Sequence, residues 1–136
     1  MKILVSRCLL GEVCRYDGKR VPDEMVIALQ SENTLVPVCP EMLGGLPCPR
    51  VPSEVQKDER VLAKDGRDVT TEYRKGAQEA LRICLAEGCE RAILKARSPS
   101  CGKGIIYDGT FTGTLTEGDG VTAKLLTEHG IPVENR

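Results

Sequence analysis

The chain has 136 residues, 40% of them hydrophobic, and a formal net charge of −1. That length and apolar fraction predict one globular domain over residues 1–136, large enough to bury a core, and the near-neutral charge argues against a nucleic-acid sink. Aromatic residues make up only 3%, with no Trp, so stacking platforms for single-stranded nucleic acid are largely missing, and no apolar run reaches the roughly 20 residues of a membrane span.

The aliphatic run "KILVS" reads as a buried strand ending just before Cys8. No small-residue cleavage site follows it, so it is not read as a signal peptide, and a cytoplasmic location is expected. "YDGKRVP" is turn material, and "PDEMVIALQSEN" predicts a helix with Pro22 and two acids at its start. "TLVPV" predicts a second strand ending just before Cys39; Pro37 within it suits a strand edge or end. From Pro40 to Lys57, four prolines (Pro40, Pro47, Pro49, Pro52) with Gly44 and Gly45 predict a long loop, of a kind that is usually functional. "TTEYRKGAQEALRICLAEG" is the clearest helix: Thr70 or Thr71 can cap it, Gly88 can end it, and Tyr73, Ala77, Ala80, Leu81, Cys84 and Leu85 recur at helical spacing. "RAILKA" predicts a third strand leading into "RSPSC". A hairpin over "GIIYDGTFTGTL", a helix over "GVTAKLLTEHG" and a short strand "IPVE" follow. Alternating strands and helices predict an α/β domain with a mainly parallel sheet flanked by helices, in a Rossmann-like three-layer arrangement.

Seven cysteines cannot form a complete intramolecular disulfide set, and a reducing cytosol would oppose one. None of their spacings is a Cys-x-x-Cys knuckle. Cys8, Cys39 and Cys101 each fall just beyond the C-terminal end of a predicted strand, the edge of a parallel sheet where ligands bind. Three loops can therefore gather three thiolates without a local motif, and Lys95, Arg97 and Lys103 around Cys101 favour its thiolate. The plainer alternative is that each is a small buried hydrophobe. Core packing accounts for Cys84 and Cys89, while Cys14 and Cys48 lie in loops near the presumed site. Zinc would want a fourth ligand or histidine, and the only histidine, His129, sits near a helix end where its cation suits the helix dipole. Soft thiolates also select iron-sulfur clusters, and a cubane held by three cysteines leaves one iron open to a soft atom such as sulfur.

The segments "SRCLLGEVCRYDG", "VCPEMLGGLPCPRVP", "GRDVTTEYRKGA", "AILKARSPSCG", "IYDGTFTG" and "GDGVTAKLLTEHGI" together resemble, from end to end, the family labelled domain of unknown function 523. The resemblance implies 2-thiouracil desulfidase activity through an oxygen-sensitive 4Fe-4S cluster held by Cys8, Cys39 and Cys101. In many relatives the position of Cys48 looks like threonine and that of Cys14 varies, which implies that neither is an essential ligand. The open iron would then take the sulfur of a thiolated base such as 2-thiouracil and polarise the C=S carbon toward water, giving uracil and sulfide.

Glu41, two residues after Cys39, is the best-placed general base or acid. The resemblance also implicates a serine of "RSPSC", with Ser98 favoured and Ser100 left open. Lys95 and Arg97 are placed to stabilise an anionic cluster or orient a carbonyl, and Gly102 and Gly104 to let backbone N–H groups approach sulfide. Tyr16, Asp17 and Gly18 form a turn near Cys8 that would line the substrate pocket, as would Arg50. The expected partner is a small-molecule thiolated base, with no nucleic acid and no membrane. Two other classes use the same residues: a non-catalytic metal or redox sensor, and an interaction module with reduced structural cysteines. Open coordination together with Glu41 favours the enzyme.

Overall fold

The computed structural model covers residues 1–136. In chain order its elements are β1 (Lys2–Ser6), a 3-10 turn (Arg7–Leu10), α1 (Glu24–Ala28), β2 (Thr34–Val38), α2 (Pro40–Leu43), β3 (Ser53–Val55), β4 (Val61–Ala63), α3 (Thr70–Glu87), β5 (Arg91–Leu94), β6 (Ile105–Tyr107), β7 (Leu115–Glu117), α4 (Val121–Glu128) and β8 (Val133–Asn135). Strands β2, β1, β5 and β8 lie side by side in that order and all run parallel. Ile3 sits opposite Leu35 and Arg91, and Ala92 opposite Val133.

The strand period of two explains the layers. Leu4, Val38, Ala92 and Leu94 point to one face, where they meet Cys84 of α3 and Ala123 and Leu126 of α4. Ile3, Val5 and Ile93 point to the other, where Leu9 of the 3-10 turn and Val26 of α1 cover them. Burial on both faces is why these strands read as near-continuous aliphatic runs. The result is the expected mainly parallel sheet flanked by helices. Pro37 lies on an edge strand, opposite Val5, where its missing N–H disturbs no central ladder. No helix is long and apolar enough to cross a membrane.

Several local expectations are corrected. Residues 40–57 are not an open loop: Pro40 occupies the first turn of α2, a position where its absent N–H costs nothing, and β3 pairs antiparallel with β4 in a hairpin the sequence did not announce. Neither Thr70 nor Thr71 caps α3, since both are inside it. Instead Asp68 Oδ1 accepts the Thr70 N–H at 2.9 Å, and Thr70 Oγ1 accepts the Val61 N–H at 2.9 Å. The helix expected over 22–33 contracts to α1 and a 3-10 turn, with Asp23 accepting the Met25 and Val26 N–H groups. Gly88 does end α3, in the left-handed conformation at φ +70°.

α2 crosses α3 backbone to backbone. A Cβ at Gly44 would lie 1.9 Å from the Glu72 carbonyl oxygen, and one at Gly76 would lie 1.9 Å from that of Pro40. This approach seats Glu41 of α2 beside Tyr73 of α3.

Candidate functional site

The C-terminal ends of β1, β2 and β5 open onto one cavity of about 730 Å³. Cys8 reaches it from the 3-10 turn after β1, Cys39 from the residue preceding α2, and Cys101 from the loop after β5. Each is under a tenth exposed, and all the cysteines of the chain are free thiols. Cys14 also lines the cavity, packed in one buried cluster with Cys8 and Cys39, and its carbonyl accepts the Cys39 thiol at 3.6 Å. Cys48 does not; its thiol donates to the Arg15 carbonyl at 3.2 Å. Cys84 and Cys89 pack in the core between the sheet and the helices.

The loop carrying Cys101 is held from several sides. The Ser6 hydroxyl donates to Cys101 Sγ at 3.4 Å and accepts the Lys95 N–H at 2.9 Å. Ser98 lines the cavity, and its Oγ accepts the N–H groups of Ser100 and Cys101 at 3.1 and 3.0 Å, a side-chain-closed turn. Ser100 is fully buried and shares a 2.7 Å hydrogen bond with the Thr122 hydroxyl. It does not line the cavity, which corrects the reading that left it open as the acting serine. The glycine expectation is corrected too. The N–H of Gly102 donates to the Ser98 carbonyl at 2.9 Å and that of Gly104 to Asp119 Oδ1 at 2.7 Å, so both close the turn instead of facing a ligand. From β8, Asn135 donates through Nδ2 to the carbonyls of Leu94 (3.1 Å) and Cys101 (3.0 Å), and its Oδ1 accepts the Lys103 N–H at 2.6 Å. Nothing in "VENR" marks this asparagine, because its partners are 32 to 41 residues away.

Opposite the thiols, Glu41 and Arg50 form an ion pair at 2.9 Å with side chains only 13% and 6% exposed. Both of the Glu41 contacts use Oε2, one from Arg50 Nη2 and one from the Tyr73 hydroxyl at 3.4 Å; Oε1 accepts no hydrogen bond from the protein. Arg50 Nη1 donates to the carbonyls of Cys14 and Pro47 at 3.0 and 3.1 Å. Arg50 thus lines the cavity as a strut, its guanidinium engaged with protein. Tyr73 is a site residue the sequence presented only as part of a helix face; its one signal was a polar tip on an otherwise apolar stripe. Tyr16 stands at the mouth, 43% exposed, with the Arg15 guanidinium 5.8 Å from its ring centre. Lys95 also lines the cavity and donates through Nζ to the Arg136 carbonyl at 3.4 Å.

The lining is strongly cationic although the chain is not. Arg7, Arg15, Arg50 and Arg136 each have a carboxylate partner, whereas Lys64 and Arg97 line the cavity without one. Burial, with the Glu41 carboxylate adding to it, pushes the Cys101 thiol up to about 12 against the hydrogen bond from Ser6. The hydrogen bond with Cys39 draws the Cys14 thiol down, but the one with Cys8 and burial outweigh it and leave Cys14 at about 12. Its bond with Cys14 and burial raise Cys39 as well. Burial and the Glu41 charge raise Tyr73, which keeps its hydroxyl a donor. With no metal bound these thiols are neutral, so loading a metal group releases protons.

No three His, Cys, Asp or Glu side chains gather tightly enough to hold a lone metal ion. Soft sulfur donors spaced around a roomy cavity with a cationic wall instead suit an anionic iron-sulfur cluster.

Comparison with known proteins agrees with that chemistry. The chain is 41% identical over 140 residues to YbbK, an uncharacterised protein of Bacillus subtilis (strain 168), covering 96% of this chain and 93% of that one. The solved structure of the 4Fe-4S-dependent thiouracil desulfidase TudS (DUF523Vcz) superposes with a TM-score of 0.93 at 47% identity, over 99% of this chain and 90% of that one. The sequence profile of the 2-thiouracil desulfurase family matches residues 3–136, nearly the whole chain, and the chain belongs to that family.

Proposed function

We propose that this chain is a 4Fe-4S-dependent desulfidase that removes sulfur from a thiolated pyrimidine such as 2-thiouracil, giving uracil and sulfide. Family membership and the likeness to TudS support the reaction. The observation that carries the residue roles is Glu41, fixed through Oε2 with Oε1 unengaged, in the cavity that three strand-end thiols line. Residues 1–136 act as one domain, and the free thiols suit a reducing cytoplasm.

Cys8, Cys39 and Cys101 would hold the cluster. When bound, it supplies a Lewis-acidic iron, left open by the three thiolates, that holds the thiocarbonyl sulfur and polarises the C=S carbon. Glu41 Oε1 takes a proton from the attacking water as the C–O bond forms and the C–S bond breaks. Glu41 passes that proton to the departing sulfur, which leaves as hydrosulfide, and the second water proton passes to solvent. Ser98, whose Oγ lone pairs face two backbone N–H groups, has its own proton to donate to the base. Tyr16 and Lys95 stand at the mouth, where the ring offers a face to a flat pyrimidine and the ammonium a hydrogen bond to its carbonyl.

The test is anaerobic cluster reconstitution followed by sulfide release from 2-thiouracil. Glu41→Gln is expected to keep the cluster absorbance and lose about 100-fold or more in kcat. Cys8→Ala, Cys39→Ala and Cys101→Ala are expected to lose both. A loaded wild-type protein that releases no sulfide would overturn the assignment.

A further inference from the structure

The cavity contains one more thiol than three ligands require. Cys14 is 2% exposed, lines the cavity, and packs in one buried cluster with Cys8 and Cys39. Its position is not that of a wandering loop. The Cys14 carbonyl accepts Arg50 Nη1 at 3.0 Å and the Cys39 thiol at 3.6 Å, so the strut that fixes Glu41 also fixes the backbone carrying this sulfur. Cys84 packs in a core that lines no cavity. Cys14 lines the cavity and shares its buried cluster with Cys8 and Cys39.

We propose that Cys14 is a displaceable fourth ligand: in the resting protein its sulfur occupies the iron that Cys8, Cys39 and Cys101 leave open, and it yields that iron to the substrate's sulfur. This inference rests on the cluster reading above. Ligation replaces the S–H bond of Cys14 with an Fe–S bond and releases the proton to water, with no electron transferred. When the substrate sulfur arrives, that Fe–S bond breaks and the Cys14 sulfur takes a proton back. The arrangement shields a labile iron between turnovers. It also reconciles a buried, cavity-lining thiol with a reaction that needs an open iron. Cys48 supplies the control, since its thiol is turned to the Arg15 carbonyl outside the cavity.

The experiment compares anaerobically loaded wild type, Cys14→Ser, Cys14→Ala and Cys48→Ser, each treated with one equivalent of ferricyanide as one-electron oxidant. Iron retained per protein is counted and the three-iron cluster signal is recorded by electron paramagnetic resonance. A cubane held by three thiolates sheds its uncapped iron on oxidation. Wild type and Cys48→Ser are therefore expected to keep all four irons, and the Cys14 variants to lose one and show the signal. Hydrosulfide, titrated by cluster absorbance, is expected to bind Cys14→Ser about tenfold more tightly than wild type, because no cap competes.

Equal iron loss in wild type and the Cys14 variants would overturn the role of Cys14 while leaving the cluster assignment intact. Cys14 variants that assemble no cluster, or a wild type that never binds hydrosulfide, would overturn it likewise, since the first makes Cys14 an indispensable ligand and the second a permanent one. A wild type that assembles no cluster would overturn both this inference and the reading it rests on.

Discussion

One guanidinium holds three separate pieces of the site. Arg50 reaches the Glu41 carboxylate, the Cys14 carbonyl and the Pro47 carbonyl, a span that a planar fork of donors can cover and an ammonium cannot. Burial works against its charge, yet the Glu41 carboxylate more than offsets that and raises Arg50 above its ordinary value. Removing it strands a carboxylate that is only 13% exposed. Arg50→Ala is therefore expected to destabilise the metal-free protein by about 3–5 kcal/mol, read from urea denaturation. Arg50→Lys should keep more of the stability but lose about tenfold or more in kcat, because the Glu41 carboxylate is no longer oriented. An Arg50→Lys enzyme of wild-type activity would show that the fork geometry is dispensable.

At the scale of elements, the crossing of α2 and α3 is what turns a helix-face tyrosine into a partner of Glu41. The contact is between backbones, so no rotamer can relieve an added methyl group. Gly76→Ala places a Cβ 1.9 Å from the Pro40 carbonyl oxygen and must push the helices apart. A loss of about 2–3 kcal/mol is expected by urea denaturation, together with reduced turnover as Glu41 moves with α2. Unchanged stability would mean that the helices can separate freely.

The same crossing shows what the sequence could and could not disclose. Strands β1, β2 and β5 were legible because packing on both faces leaves aliphatic runs, and α3 because eighteen residues repeat one apolar stripe. Strands β3 and β4, at three residues each, are too short for a period of two to register. α2 was hidden because Pro40 and two nearby glycines, which here start a helix and let it approach its neighbour, have the composition of a loop. The placement of Cys8, Cys39 and Cys101 at strand ends could be inferred from the parallel topology. The pairing of Glu41 with Arg50 and Tyr73 could not, since it depends on how α2 is docked, and neither could the inward turn of Ser100 toward Thr122.

For the molecule as a whole, burying neutral thiols couples folding to alkaline pH. Cys14 and Cys101 sit at about 12 in the folded protein against an ordinary value of 9.0. Below that ordinary value both folded and unfolded chains keep these protons, and the stability is intact. Above it the unfolded chain releases protons that the folded chain retains, so stability falls as pH rises from about 9 toward 12, by up to about 1.4 kcal/mol per pH unit for each thiol. Melting of the reduced, metal-free protein between about pH 8 and 11 should show Tm declining from near pH 9. The decline should be shallower in a Cys14→Ser, Cys101→Ser double variant. A flat Tm across that range would contradict the burial of neutral thiols.

Asn135 ties the Cys101 loop to the strand beside it by hydrogen bonds to Leu94, Cys101 and Lys103. Because Asn135 follows Cys101 by 34 residues, every sulfur of the site is joined to the chain before the side chain that shapes the loop. The Cys101 loop is accordingly complete only once β8 has docked.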